Sequence, residues 1–124
     1  MIKKLAIVLL VALLSSCASF SLTDSTPAQK VFAATQVYNA ALSAAVAYKK
    51  LPSCAQAQKP ILCSDAAVVA TLQKADNVAF EALKSAQTVV RSTGASTSAL
   101  STAVAWATEA ASAFSKITTA LKGT

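Results

Sequence analysis

The sequence contains no histidine and little acid: five aspartates and glutamates stand against eleven lysines and arginines, for a net charge of +6. Histidine is the most frequent general base and metal ligand, so no Ser-His-Asp set can be assembled here. With only two glycines, the chain also lacks a glycine-rich phosphate-binding loop. It shows no metal-binding motif either. We predict that the protein is not an enzyme and holds no cofactor or metal; a Ser-Lys dyad is the catalytic alternative left open.

Charged residues are scarce, at 13% of the chain, and so are aromatic residues, at 6%. The cations occur singly or in pairs along the sequence. A nucleic-acid surface needs clustered cations, often interleaved with aromatic residues. We therefore expect no nucleic-acid partner and interpret most cations as solvated. The alternative is attraction to anionic lipids or polymers, worth at most about 1 kcal/mol per cation.

Long apolar runs are missing as well. The run at residues 5–14, which follows Lys3 and Lys4, is much shorter than the roughly 20 residues of a spanning helix. A basic segment, a short apolar run and small residues at its end are typical of a removable export signal.

The residues that end this run, Leu14-Ser15-Ser16-Cys17, resemble the lipobox of bacterial lipoproteins: an aliphatic residue, two small residues and a cysteine. The resemblance implies cleavage between Ser16 and Cys17, diacylation of the Cys17 sulfur and a further acyl chain on the new amino terminus. Several acyl chains anchor a protein stably. Ala18 occupies the position where aspartate resembles an inner-membrane retention signal, which implies an outer-membrane location facing the periplasm. The alternative is an ordinary secretory signal that contains a cysteine.

This interpretation divides the chain into three parts. Residues 1–16 form the signal peptide, and residues 17–26 form the lipidated N-terminus and a polar tether. Residues 27–124 form the folded domain. The 108 residues after the signal carry a net charge of +4, and their number suits one small domain.

Two further cysteines, Cys54 and Cys63, lie in that domain. An even number of cysteines in an exported protein predicts a disulfide. Pro52 and Pro60 bracket a connection that cannot stay helical, and the disulfide would close it. A metal site or a redox pair is the alternative, although the spacing is not Cys-x-x-Cys and two thiolates make a poor zinc site.

Three segments, 27–50, 65–92 and 97–122, carry apolar residues at three- and four-residue steps, which is the spacing of one helix face. No alternation typical of strands competes with it. Short connections between three such helices predict an all-α fold, an antiparallel up-down-up three-helix bundle. Alanine dominates the predicted buried faces and would let the helix axes approach closely.

The predicted buried faces can be given residue by residue. They are Val31, Ala34, Tyr38, Ala41, Leu42, Ala45 and Tyr48; Val69, Leu72, Ala79, Leu83, Ala86 and Val90; and Leu100, Ala103, Ala107, Ala110, Phe114, Ile117 and Leu121. Asp76 interrupts the second face, and we expect it to pair with a lysine on a neighbouring helix. Trp106 lies beside the third face, where it would either fill the core or its rim, or anchor a partner.

Capping residues mark the predicted helix ends. The predicted N-caps are Ser25 or Thr26, then Ser64, then Ser96 or Thr97. Pro27 suits the first helical position, and Asp65 suits the positive first turn of the second helix. Gly94 is expected to end that helix in the left-handed conformation.

These features predict a non-catalytic envelope lipoprotein, a membrane-anchored helical module with a binding or structural role. Its expected partners are the membrane, through the lipid on Cys17, and an unidentified envelope protein; a homo-oligomer is a further option. The alternative is a phage or prophage envelope effector that blocks a receptor or assists lysis. Residues 48–54, 62–65 and 72–76 resemble uncharacterised phage-borne lipoproteins.

Overall fold

A computed structural model of the chain describes residues 25–55 and 62–122. It contains three helices, α1 (Pro27–Lys49), α2 (Ala66–Arg91) and α3 (Thr97–Lys122). Each helix packs against the other two in an antiparallel up-down-up bundle, which confirms the predicted fold class. The predicted signal peptide, 1–16, and Cys17 lie outside the described residues. Within the described residues, no helix combines the length and apolarity needed to cross a bilayer.

Local sequence accounts for the start of α1. The Oγ1 of Thr26 accepts a hydrogen bond from the N–H of Gln29 (3.3 Å), and the Oε1 of Gln29 accepts one from the N–H of Thr26 (2.8 Å). This capping box satisfies two backbone donors. Pro27 follows at the first helical position, where its missing N–H has no intrahelical partner to lose. The helix ends at Lys49, one residue before the predicted end.

The prediction that Ser64 caps α2 is wrong. Asp65 is the N-cap, and its Oδ1 accepts hydrogen bonds from the N–H groups of Ala67 (2.8 Å) and Val68 (3.2 Å). Ser64 is buried, and its hydroxyl donates to the carbonyl of Leu51 (3.0 Å). The serine is therefore engaged in the preceding turn, and the aspartate takes the capping role.

The prediction that Gly94 ends α2 in the left-handed conformation is also wrong. Ser92 leaves the helix in an extended conformation, with φ −76° and ψ 130°. Its hydroxyl donates to the carbonyl of Val89 (2.8 Å), which satisfies one of the last carbonyl groups of the helix. Gly94 does not adopt a left-handed φ. α3 then begins at Thr97, with the Oγ of Ser96 accepting from the N–H of Ala99 (3.2 Å).

The core is built mainly from alanine. Among the described residues, nine of the fourteen buried apolar side chains are alanine, and Phe114 is the largest fully buried one. Small side chains let helices approach closely, and a bulky residue then fills the remaining space. The ring of Phe114 lies 5.8 Å from that of Tyr38, centroid to centroid.

The predicted faces match this core closely. Leu42, Tyr48, Val90, Ala103, Ile117 and Leu121 are partly buried against it. Within the helices, three buried residues lie outside the predicted faces: Ala82, Ala111 and Thr118. The hydroxyl of Thr118 donates to the carbonyl of Ser115 (2.9 Å), so its burial leaves that group satisfied.

Phe114→Ala should lower the free energy of unfolding by about 3–5 kcal/mol, because the alanines around it cannot close the cavity. Urea denaturation followed by circular dichroism measures this loss, and Phe114→Leu supplies a milder variant if Phe114→Ala does not fold. Phe32→Ala is the matched control, since that ring is 66% exposed, and its effect should stay within about 0.5 kcal/mol. Equal effects of Phe114→Ala and Phe32→Ala would contradict this assignment of the core.

Candidate functional site

The connection between α1 and α2 is closed by a disulfide. The Sγ atoms of Cys54 and Cys63 lie 2.10 Å apart and their Cα atoms 4.9 Å apart. Beside this bond, the N–H of Ser64 donates to the carbonyl of Pro52 (2.9 Å) and the N–H of Cys54 donates to the carbonyl of Ser64 (3.0 Å). A disulfide sulfur is not the thiolate that metal binding or redox attack requires. The connection therefore has the chemistry of a structural brace.

Tyr48 links α1 directly to the start of α2 at the disulfide end of the bundle. It lies near the end of α1, and its hydroxyl accepts a hydrogen bond from the N–H of Asp65 (3.0 Å), the N-cap of α2. Across the described residues, no fully buried side-chain nitrogen or oxygen lacks a hydrogen-bond partner. This end of the bundle is thus held by covalent and polar contacts together.

Replacing both Cys54 and Cys63 by serine should lower the free energy of unfolding by about 2–3 kcal/mol, because the unfolded chain regains the entropy of a short closed loop. Thermal melts with and without reductant measure the effect. Reductant should lower the melt of the wild type to that of the double variant, which serves as the control because it has nothing there to reduce. A wild-type melt indifferent to reductant would remove the stabilising role.

Asp76 does not pair with a lysine as predicted. Its Oδ1 accepts a hydrogen bond from the hydroxyl of Tyr38 (2.8 Å), which faces it from α1. Burial, reinforced by the hydrogen bond and charge of Asp76, raises the pKa of Tyr38 to about 12. At neutral pH the phenol is a protonated donor. The pair therefore links α1 to α2 through a side-chain hydrogen bond.

Tyr38→Phe should lower the free energy of unfolding by about 1–2 kcal/mol at neutral pH, because the part-buried carboxylate loses its donor. The pKa of Tyr38 is higher in the folded protein than the ordinary value of 10.0. Its contribution is therefore complete below pH 10 and declines as the pH rises towards 12. Urea titrations across that range should show a steeper loss for wild type than for Tyr38→Phe. Parallel slopes for the two proteins would contradict the assignment.

Trp106 lies outside the core. Its side chain is 47% exposed on α3, so it does not fill the core, and Phe114 has that role. The predicted position at the rim of the core is compatible with this exposure. As a partner contact, Trp106 stays a prediction.

A groove runs between α1 and α2, which contact each other less extensively than either contacts α3. It comprises three adjoining cavities of about 160, 370 and 270 Å³, in order from the disulfide end. The second and third share Thr35 and Gln87 as lining residues. Asp76 lines the first, and its partner Tyr38 lines the second. We call these three cavities together the α1–α2 groove.

Two exposed aromatic residues line this groove from opposite helices. Phe32 of α1 is 66% exposed and Phe80 of α2 is 51% exposed. Neither belongs to a predicted buried face, so periodicity gave no reason to single them out. Their signal in the sequence was their position: each is a large apolar residue that lies off the helical stripe and is therefore expected to be exposed.

The charged residues that line the groove are mostly basic. Lys49, Lys84 and Arg91 each line one of the three cavities. The carboxylate of Asp76 faces the first cavity but already accepts the hydrogen bond of Tyr38. The arrangement is an apolar trough with one cation per cavity.

The α1–α2 groove presents apolar, cationic and hydrogen-bonding side chains. The residues described here form no group of three or more histidine, cysteine or acidic side chains able to hold a metal ion. Cys54 and Cys63 lie together in the brace, while Ser16 and Cys17 lie outside the described residues. Comparisons with protein-family models, curated proteins and solved structures found no match.

Proposed function

We propose that this protein is a non-catalytic lipoprotein of the bacterial envelope, anchored through acyl chains on Cys17, whose bundle serves as a binding module. The observation that carries the proposal is the motif Leu14-Ser15-Ser16-Cys17 behind a basic and an apolar segment. These elements in this order are what an exported and lipidated chain requires.

The Cys54–Cys63 disulfide supports export independently of the motif. Structural disulfides form and persist in oxidising compartments such as the periplasm. A brace of this kind also suits a small domain whose alanine-rich core buries little apolar surface per residue.

The up-down-up topology supports an anchored arrangement. The tether joins α1 at Thr26, so the start of α1, the end of α2 and the start of α3 share the end of the bundle nearest the proposed anchor. The 23 residues of α1 extend for about 35 Å. The disulfide brace is at the far end, and the α1–α2 groove runs along the side of the bundle between the two ends.

Acylation at Cys17 is tested by feeding cells an alkyne-bearing fatty acid and detecting its attachment to the protein. The wild type should be labelled, and Cys17→Ser should not, because the acceptor sulfur is lost. The matched control is the double Cys54→Ser, Cys63→Ser variant, which keeps Cys17 and should be labelled fully. An unlabelled wild type, or labelling that persists in Cys17→Ser, would contradict the proposal.

The outer-membrane location is a separate part of the proposal. In a Gram-negative host the wild type should be recovered with the outer membrane after density separation. Ala18→Asp should move it to the inner membrane, because aspartate resembles the retention signal at that position. Recovery of both forms in the same membrane would refute this part alone.

A further inference from the structure

We propose that the α1–α2 groove binds an amphipathic helix of a partner protein, a helix whose apolar stripe is flanked by acidic residues. This inference deepens the proposed function by naming the chemistry of the partner. It rests on the proposed function only for the premise that the bundle is a binding module.

The shape of the groove suits a helix. Two antiparallel helices backed by a third leave room for a fourth along their line of contact, as in a four-helix bundle. The lining extends along α1 from Ala28 to Lys49, which corresponds to about 30 Å or six helical turns. A ligand that fills three adjoining cavities over that length is a helix presenting apolar residues at i, i+3, i+4 and i+7.

The walls supply apolar anchors at separate levels of the groove. Phe32 lines the third cavity, Phe80 the second, and the half-exposed Val46 the first. Exposed aromatic side chains beside cavities are typical anchors of helix-in-groove recognition. The cavity between α1 and α3 differs in that its lining contains no aromatic residue.

The charged residues that line the groove favour one kind of binding partner over another. Each cavity has one cation in its lining, namely Lys49, Lys84 or Arg91. Acidic residues flanking the apolar stripe of a partner helix would meet Lys84 and Arg91 in the second and third cavities, whereas in the first cavity Lys49 shares the lining with the carboxylate of Asp76. A second copy docked through the same groove would instead bring these cations together, and like charges across an interface are strongly unfavourable. The groove therefore favours an acidic partner over self-association.

The test uses the full-length protein, held in nanodiscs of zwitterionic lipid or free in solution according to how it is recovered from cells. The probe is a fluorescent helical peptide with leucine at i, i+3, i+4 and i+7 and glutamate along both flanks. A peptide with lysine in place of every glutamate is its matched control. The acidic peptide should bind at least about tenfold more tightly than the lysine peptide, and added salt should reduce that difference.

Variants locate the site. Phe80→Ser should weaken binding of the acidic peptide at least about tenfold, whereas Val78→Ser, a change at a half-exposed apolar residue of α2 that lines none of the three cavities, should leave it unchanged. Reversing charge with Lys84→Glu and Arg91→Glu together should invert the preference towards the lysine peptide. Circular dichroism checks that each variant keeps its helical content.

Three outcomes would overturn the proposal. Wild type could bind both peptides with equal affinity, or Phe80→Ser could bind the acidic peptide as tightly as wild type does. The third is a wild-type dimer, detected by analytical ultracentrifugation, that the Phe80→Ser substitution dissociates. The last would assign the groove to a second copy. Peptide binding without fatty-acid labelling would refute the lipoprotein proposal alone. Labelling without peptide binding would refute the groove proposal alone.

Discussion

Close packing of alanine-rich helices around a single large ring is the constraint on which the rest of the structure depends. Phe114 supplies that ring from α3, so α3 lies deep against both other helices. Tyr38 packs its ring beside Phe114 and points its hydroxyl at Asp76. Core packing and the polar contact between α1 and α2 are thereby coupled. The α1–α2 groove follows from the same asymmetry, because the bulky filler comes from α3.

The proposed function has two parts. The motif around Cys17 underlies the proposed membrane attachment, and the α1–α2 groove underlies the proposed binding of a partner helix. Between them, the described residues provide a protonated phenol, a disulfide and scattered cations. Of these groups, the disulfide and the phenol link α1 and its connection to α2. The disulfide brace contributes by fixing the ends of α1 and α2, the two helices that form the groove.

Features that depend on local sequence were predictable, and features that depend on neighbouring elements were not. Helical periodicity and the Thr26 cap are local, and the structure confirms both. Ser64 and Asp65 are both good caps, and only the contact of the serine with the preceding turn decides between them. The partner of Asp76 depends on which residue of α1 stands opposite. Tyr38 stands there because of the antiparallel register, which periodicity alone does not define.

Intact mass of the protein extracted from membranes, measured without reduction, tests the central claim most directly: an acylated, disulfide-braced bundle. We expect a chain that begins at Cys17, carries the added mass of acyl chains and lacks the two hydrogens lost in forming the Cys54–Cys63 disulfide. Reduction should then restore those two hydrogens and leave the acyl mass in place. A soluble protein that retains residues 1–16 and carries no acyl chain would contradict the proposed anchoring.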